Sequence, residues 1–159
     1  MIAAIDTNIL LDILIPNPPH LNGSLRCLKE LSEQGRLIIS EMVFAELSSQ
    51  FESLEDLCRF LAETSISLVS SPEAALYQAG ASWKKYAKKR ARGLVCPACG
   101  HSGRLSCPHC GRELASKTHV LSDFLIGAHA LVCADRLVTR DRGFYRSYFE
   151  RLEVVDPAE

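Results

Sequence analysis

The chain has 159 residues, 47% of them hydrophobic and 23% charged, with 18 Lys and Arg against 19 Asp and Glu for a net charge of −1. That length suits one domain, and that apolar share suits a packed core and excludes a disordered chain. No apolar run approaches the roughly 18 residues of a membrane span, so no membrane partner is expected. Residues 2–5, Ile-Ala-Ala-Ile, predict a short buried strand ending at Asp6. Residues 7–14 predict one or two helical turns, stopped by the Pro-Asn-Pro-Pro run at 16–19, because Pro cannot continue a helix. The greasy start is interrupted by Asp6 and Asp12 and is preceded by no basic segment, so no secretory signal is expected. Leu21, Leu25, Leu28 and Leu31 have helical spacing, and Gly35 caps that helix.

Arg36 to Ile39 predict a second strand, and Ser40 the N-cap of a helix carrying Met42, Val43, Glu46 and Leu47. A further amphipathic helix spans 53–63, with Leu54, Leu57, Phe60 and Leu61 inward. Ile66, Leu68 and Val69 form a third strand, followed by a helix from Pro72 to about Arg92. Residues 94–117 break the pattern, being rich in Gly, Pro and Cys. Helical character resumes at Ser122, with Phe124, Leu125, Ala128, Leu131 and Val132 apolar. Leu137 and Val138 form a fourth strand, Arg142 to Phe149 a short helix, and Leu152 to Val155 a fifth strand. Strands alternating with helices imply right-handed crossovers. The expected fold is α/β, three layers with a mainly parallel five-stranded sheet formed by residues 1–93 and 118–159, and a separate insertion at 94–117.

Four acids stand where such a sheet builds sites, beyond the carboxyl ends of its strands. Asp6 follows the first strand, Glu46 lies in the helix after the second, Asp123 opens the helix after the insertion, and Asp141 follows the fourth strand. Each has a plainer role open to it: Asp6 and Asp141 as turn or cap residues, Asp123 as a first-turn charge on the helix dipole, Glu46 as an exposed helix residue. Two unit charges about 4 Å apart cost about 4 kcal/mol at an effective dielectric of 20. A cluster of four therefore needs shared protons or a hard cation, and oxygen donors favour Mg²⁺ or Mn²⁺. Asp12 reads as a surface charge or a support for the acids, and Glu41, Asp135 and Glu150 read as surface charges.

The segments IDTNILLD, SEMVFAEL, LSDFLIGAHAL and LVTRDRGF resemble, in order, the four acidic motifs of PIN-domain ribonucleases, most nearly the VapC-type toxins. The resemblance covers the chain apart from 94–117. It implies that Asp6, Glu46, Asp123 and Asp141 are the catalytic, metal-holding acids. Asn8 would orient Asp6, and Thr139 would supply the small polar residue before the last acid. It implies an Mg²⁺- or Mn²⁺-dependent endoribonuclease in which a metal-activated water cuts RNA and leaves a 5′-phosphate, a cognate antitoxin or ribosomal partner, and a homodimer. A haloacid-dehalogenase phosphatase also places an Asp after its first strand, but it needs a second Asp where this chain has Asn8. The alternatives carried forward are a non-catalytic RNA- or ribosome-binding protein and a ribosomal-RNA-processing PIN nuclease. The latter is suggested because those nucleases are similar in pairing a zinc ribbon with the domain.

The insertion departs from the family pattern. Cys96-Pro97-Ala98-Cys99-Gly100 and Cys107-Pro108-His109-Cys110-Gly111 are two CPxCG knuckles. Two Cys-x-x-Cys pairs make a closed tetrahedral site, so Cys96, Cys99, Cys107 and Cys110 are expected to hold structural Zn²⁺. An odd total of seven cysteines fits metal in a reducing, cytoplasmic compartment better than a disulfide framework. Cys27, Cys58 and Cys133 read as buried apolar residues, His101 and His109 as solvent-facing, His119 as a residue near the cleft and His129 as structural. Charge is also uneven. Lys84, Lys85, Lys88, Lys89, Arg90, Arg92, Arg104, Arg112 and Lys117 face Glu113 alone within 84–119. A basic segment on an acidic body is an electrostatic footprint for a polyanion, here the RNA backbone.

Overall fold

Ile2–Ile5 forms β1 at the centre of a five-stranded sheet of order β3-β2-β1-β8-β9, in which every pairing is parallel. The structure, a computed structural model, describes residues 1–15, 18–89, 94–95, 102–103, 105–111, 113–114 and 121–158. Parallel strands are joined by crossovers that lay helices on the sheet, so their apolar runs are buried rather than alternating. That is why Ala3, Ala4 and Ile5 in β1 and Leu37, Ile38 and Ile39 in β2 (Arg36–Ile39) are all core residues. The chain passes from β1 through α1 (Thr7–Leu14) and α2 (Pro18–Gln34) to β2. It then passes through α3 (Glu41–Ser48) and α4 (Leu54–Glu63) to β3 (Ile66–Leu68). After α5 (Glu73–Lys89) and α6 (Leu121–Cys133) it returns to the other side of β1 as β8 (Arg136–Val138). Finally α7 (Arg142–Tyr148) leads to the edge strand β9 (Glu153–Val155).

The expected strands and helices are all present. Ser40 caps α3 by accepting from the Val43 amide, and Ser53 caps α4 by accepting from the Asp56 amide. Gly35 is required by close approach: a Cβ there would lie 1.9 Å from the Met1 carbonyl oxygen, which accepts from Arg36 N as β1 and β2 start together. Gly127 is required by packing, since a Cβ would lie 2.5 Å from the Phe149 ring. Trp83 and Tyr86 of α5, Phe124 of α6, and Phe144 and Tyr148 of α7 form one aromatic cluster, with Phe124 and Phe144 edge-on at 4.9 Å. This cluster seats the start of α6 against α7.

Several expected faces differ. Leu25 and Leu54 are exposed, although the helical spacing put them inward. In α2 the buried position is taken by Ser24, whose hydroxyl donates to Asp12 at 2.8 Å. Asp12 itself is 2% exposed and ion-paired to Arg140 at 3.1 Å, not a surface charge. A buried carboxylate needs donors, so the helix turns a serine inward where spacing alone favours a leucine. Cys58 is exposed, whereas Cys27 and Cys133 pack against the core as expected. Glu41 is also tied down, accepting from both the amide and the hydroxyl of Ser71.

Within the insertion, β4 (Leu94–Val95) pairs antiparallel with β5 (Ser102–Gly103), and β6 (Leu105–Ser106) with β7 (Glu113–Leu114). Each short ladder brackets one CPxCG segment. The flanking helices α5 and α6 pack on each other, so the described chain on the two sides of the insertion is adjacent. No helix among the described residues is long and apolar enough to cross a membrane.

Candidate active site

The path from β1 to β2 on one side and to β8 on the other makes a switch point between β1 and β8, where open α/β sheets bind ligands. Ile5 is in register with Val138, and Asp6 N donates to Val138 O at 3.0 Å. Asp6 and Thr139 therefore leave the sheet side by side. Thr139 Oγ1 donates to Asp6 Oδ2 at 2.6 Å, and it accepts from Asn8 Nδ2 at 3.1 Å and from Asp141 N at 3.0 Å. Asn8 Nδ2 also donates to Asp6 Oδ2 at 2.7 Å, and Asn8 Oδ1 accepts from Arg140 N. Asn8 and Thr139 are thus both in contact with Asp6.

Asp6 is 6% exposed, and its carboxyl is pushed up to about 6. Burial is the largest cause. Hydrogen bonding from Thr139 and from the Thr7 backbone pulls the other way, while the charges of Glu46 and Asp123 push it further up. Asp6, Glu46 and Asp123 thus come together from β1, α3 and α6. Glu46 is half-buried, its Oε2 accepting from Thr7 Oγ1, the residue that follows Asp6. Asp141 is exposed, and its Oδ1 accepts from Phe144 N as the N-cap of α7.

Tyr145, which has no acid or ligand signature in the sequence, contacts Asp6 and feels the charge of all four acids. Its ring is 2% exposed and its hydroxyl donates to Asp6 Oδ2 at 3.4 Å. Burial, then the charges of Asp6, Asp123, Asp141 and Glu46, push the phenol far above its ordinary value, so it stays a neutral donor. One signal for it is in the sequence, because Asp141 and Tyr145 are four residues apart and so share a helix face. Thr7 and Arg140 were likewise not singled out. Arg140 Nη2 lies 3.1 Å from Asp12 Oδ1 and donates to Asn8 O at 3.4 Å, bracing the first turn of α1, which carries Asn8. Among the described residues, no three His, Cys, Asp or Glu side chains form a group that could hold a metal ion.

Of the expected polyanion-binding residues, Lys84, Lys85 and Lys88 are exposed on α5 and line an open groove with Leu76 and Tyr77. The side chain of Lys89 and residues Arg90, Arg92, Arg104, Arg112 and Lys117 lie outside the described residues, as do Cys96, Cys99, His101 and His119. The second knuckle is described. Gly111, at φ 69°, donates its amide to Cys107 O at 2.8 Å, closing a tight turn that needs glycine. Hydrogen bonds from the Cys110 and His109 backbone, and from the Cys110 side chain, hold the Cys107 thiol below its ordinary value. His109 is exposed, as expected.

No protein-family model and no curated protein sequence matches the chain. Solved structures do. The chain is similar to one in the VapBC2 complex of Rickettsia felis bound to a DNA fragment from its promoter, with TM-score 0.61 and 21% identity over 98% of each chain. It is similar to one in VapBC-1 of nontypeable Haemophilus influenzae, with TM-score 0.61 and 20% identity over all of both chains. It is also similar to one in FitAcB from Neisseria gonorrhoeae, with TM-score 0.59 and 18% identity over 100% of this chain and 99% of that one. At such identities the likeness establishes the fold: a PIN-like five-stranded parallel sheet flanked by helices.

Proposed function

We propose that this protein is an Mg²⁺- or Mn²⁺-dependent endoribonuclease, acting in the cytoplasm as the toxin of a toxin–antitoxin pair. The observation that carries the reading is the raised carboxyl of Asp6, buried at the switch point with Glu46 and Asp123 acting on it. As they stand the acids form no metal-holding group, but their donor chemistry, oxygen only, fits a hard divalent cation, and a cation here would offset the burial and the repulsion that disfavour ionised Asp6. Asp6, Glu46, Asp123 and Asp141 would hold it. When bound, such an ion supplies a nucleophile at neutral pH and stabilises charge on the phosphate being cut.

The chain's own residues set the rest. Thr139, Asn8 and Tyr145 all donate to Oδ2 of Asp6, fixing that carboxylate's rotation. Thr7 fixes Glu46 in the same way. Preorganised acids of this kind are not reoriented during the reaction, which is where such sites gain most. Lys84, Lys85 and Lys88 would take the RNA backbone, offsetting the repulsion between phosphates and the acids. The antitoxin partner is supported by the neighbours, which were solved as VapBC and FitAB assemblies.

The insertion at 94–117 reads as a small unit folded by Zn²⁺, with Cys96, Cys99, Cys107 and Cys110 as ligands. The lowered thiol and glycine turn of the Cys107–Cys110 knuckle fit a thiolate-bound ion.

The test is cleavage of end-labelled single-stranded RNA. Cutting with Mn²⁺, none with EDTA, and none by Asp6→Asn in a folded protein are expected. RNA binding without cutting would instead establish the non-catalytic reading.

A further inference from the structure

Glu41, Ser71 and His129 form a polar network outside the acid cluster. Ser71 Oγ donates to Glu41 Oε2 at 2.8 Å and lies 3.1 Å from His129 Nδ1. Ser71 N donates to the same carboxylate. The serine has one proton and gives it to Glu41, so His129 must donate from Nδ1. That leaves Nε2 as a bare acceptor, and Nε2 is buried with no partner among the described residues. Burial holds the imidazole below its ordinary value, against the charge of Glu41, in keeping with a neutral ring. A histidine 1% exposed, with an unpaired ring nitrogen on a helix of Ala, Ile and Gly neighbours, costs stability that an apolar residue would not.

The placement supplies its use. Glu41 opens α3, the helix that carries Glu46. His129 lies on α6, the helix that carries Asp123. Ser71 reaches them from the segment between β3 and α5. At 1.5 Å per residue, Glu41 is about 7.5 Å along α3 from Glu46, and His129 is about 9 Å along α6 from Asp123. The two helices are in contact. We propose that Glu41, Ser71 and His129 are positioning residues, a clamp between α3 and α6 that sets the separation of Glu46 from Asp123. This rests on the nuclease reading above, and it deepens that reading by assigning the side chains that hold two of its acids at their spacing.

The test uses the full chain and three variants. His129→Leu and Ser71→Ala break the clamp, whereas His129→Asn keeps a donor that can reach Ser71 Oγ. Mn²⁺ affinity is read by calorimetry and RNA cleavage by kcat and KM. About tenfold weaker Mn²⁺ binding and a similar fall in kcat are expected for His129→Leu and Ser71→Ala, with KM for RNA unchanged and His129→Asn near wild type. If His129→Leu does not fold, Ser71→Ala carries the test, because it removes one hydroxyl only. Wild-type affinity and kcat in folded Ser71→Ala would overturn the clamp. Losses that follow thermal stability alone, with no rescue by His129→Asn, would also overturn it. Wild-type protein that neither binds Mn²⁺ nor cuts RNA would instead overturn the nuclease reading.

Discussion

Thr139 Oγ1 donates to Asp6 Oδ2 at 2.6 Å while accepting from the amide of Asp141, so one hydroxyl joins the ends of β1 and β8 to the turn before α7. Thr139 is fully buried, so nothing else can replace these bonds. Thr139→Val keeps the shape and removes the hydroxyl, leaving the Asp141 amide without this acceptor and Asp6 Oδ2 with Asn8 and Tyr145 as its remaining side-chain donors. A loss of about 1–3 kcal/mol in urea unfolding is expected, with Thr139→Ser close to wild type.

Asp6 gives a pH dependence whose sign can be worked out. Its folded value of about 6 lies above the unfolded 3.8, so between those values the folded state binds more protons than the unfolded state. Stability therefore falls as pH rises from about 4 to about 6 and levels off above, by about 3 kcal/mol from this group. The comparison that isolates this group is wild type against Asp6→Asn in EDTA. The difference between their unfolding free energies should open across that window, with the variant the more stable at pH 7. Added Mn²⁺ should raise the stability of wild type and leave the variant unmoved.

Gly127→Ala tests the seat of α6. The added Cβ meets the buried Phe149 ring, which lies 2.5–2.9 Å away. Neither the helix nor the ring can yield freely, so overpacking should cost about 1–3 kcal/mol, seen as a lower thermal midpoint. Because α6 carries Asp123, the same variant should also bind Mn²⁺ more weakly.

Lys84, Lys85 and Lys88 replaced together by Glu should abolish RNA binding in fluorescence anisotropy without changing the unfolding midpoint, since all three are exposed. Single Lys→Ala variants should each flatten the slope of log affinity against log salt by about 0.7. Unchanged affinity in the triple variant would remove α5 from the RNA path.

Much of the fold was legible in the residues. Unbroken apolar runs at 2–5 and 37–39 mark buried parallel strands, and Ser40, Ser53 and Gly35 mark helix ends by chemistry that acts locally. The faces of α2 and α4 were less legible, because helical spacing counts leucines and not what a buried acid elsewhere requires. Asp12 draws Ser24 inward from α2 and Arg140 from the turn after β8, contacts no local pattern encodes. Asp6 and Asp141 were legible as acids that follow strands. Tyr145 was not, because an aromatic at helical spacing reads as core, and only the tertiary fold brings its hydroxyl to Asp6. The Glu41–Ser71–His129 network was hidden for the same reason: its members come from three elements.

The central claim is that carboxylates brought together from separate elements hold one divalent site. The most direct measurement is a crystal structure soaked with Mn²⁺ and recorded at the manganese absorption edge. The account predicts an anomalous peak ligated by Asp6, with Glu46, Asp123 or Asp141 completing the protein ligands, lost in Asp6→Asn crystals. Contradiction would be a wild-type crystal with no peak at these acids, or with Asp123 turned away from Asp6 and bound elsewhere.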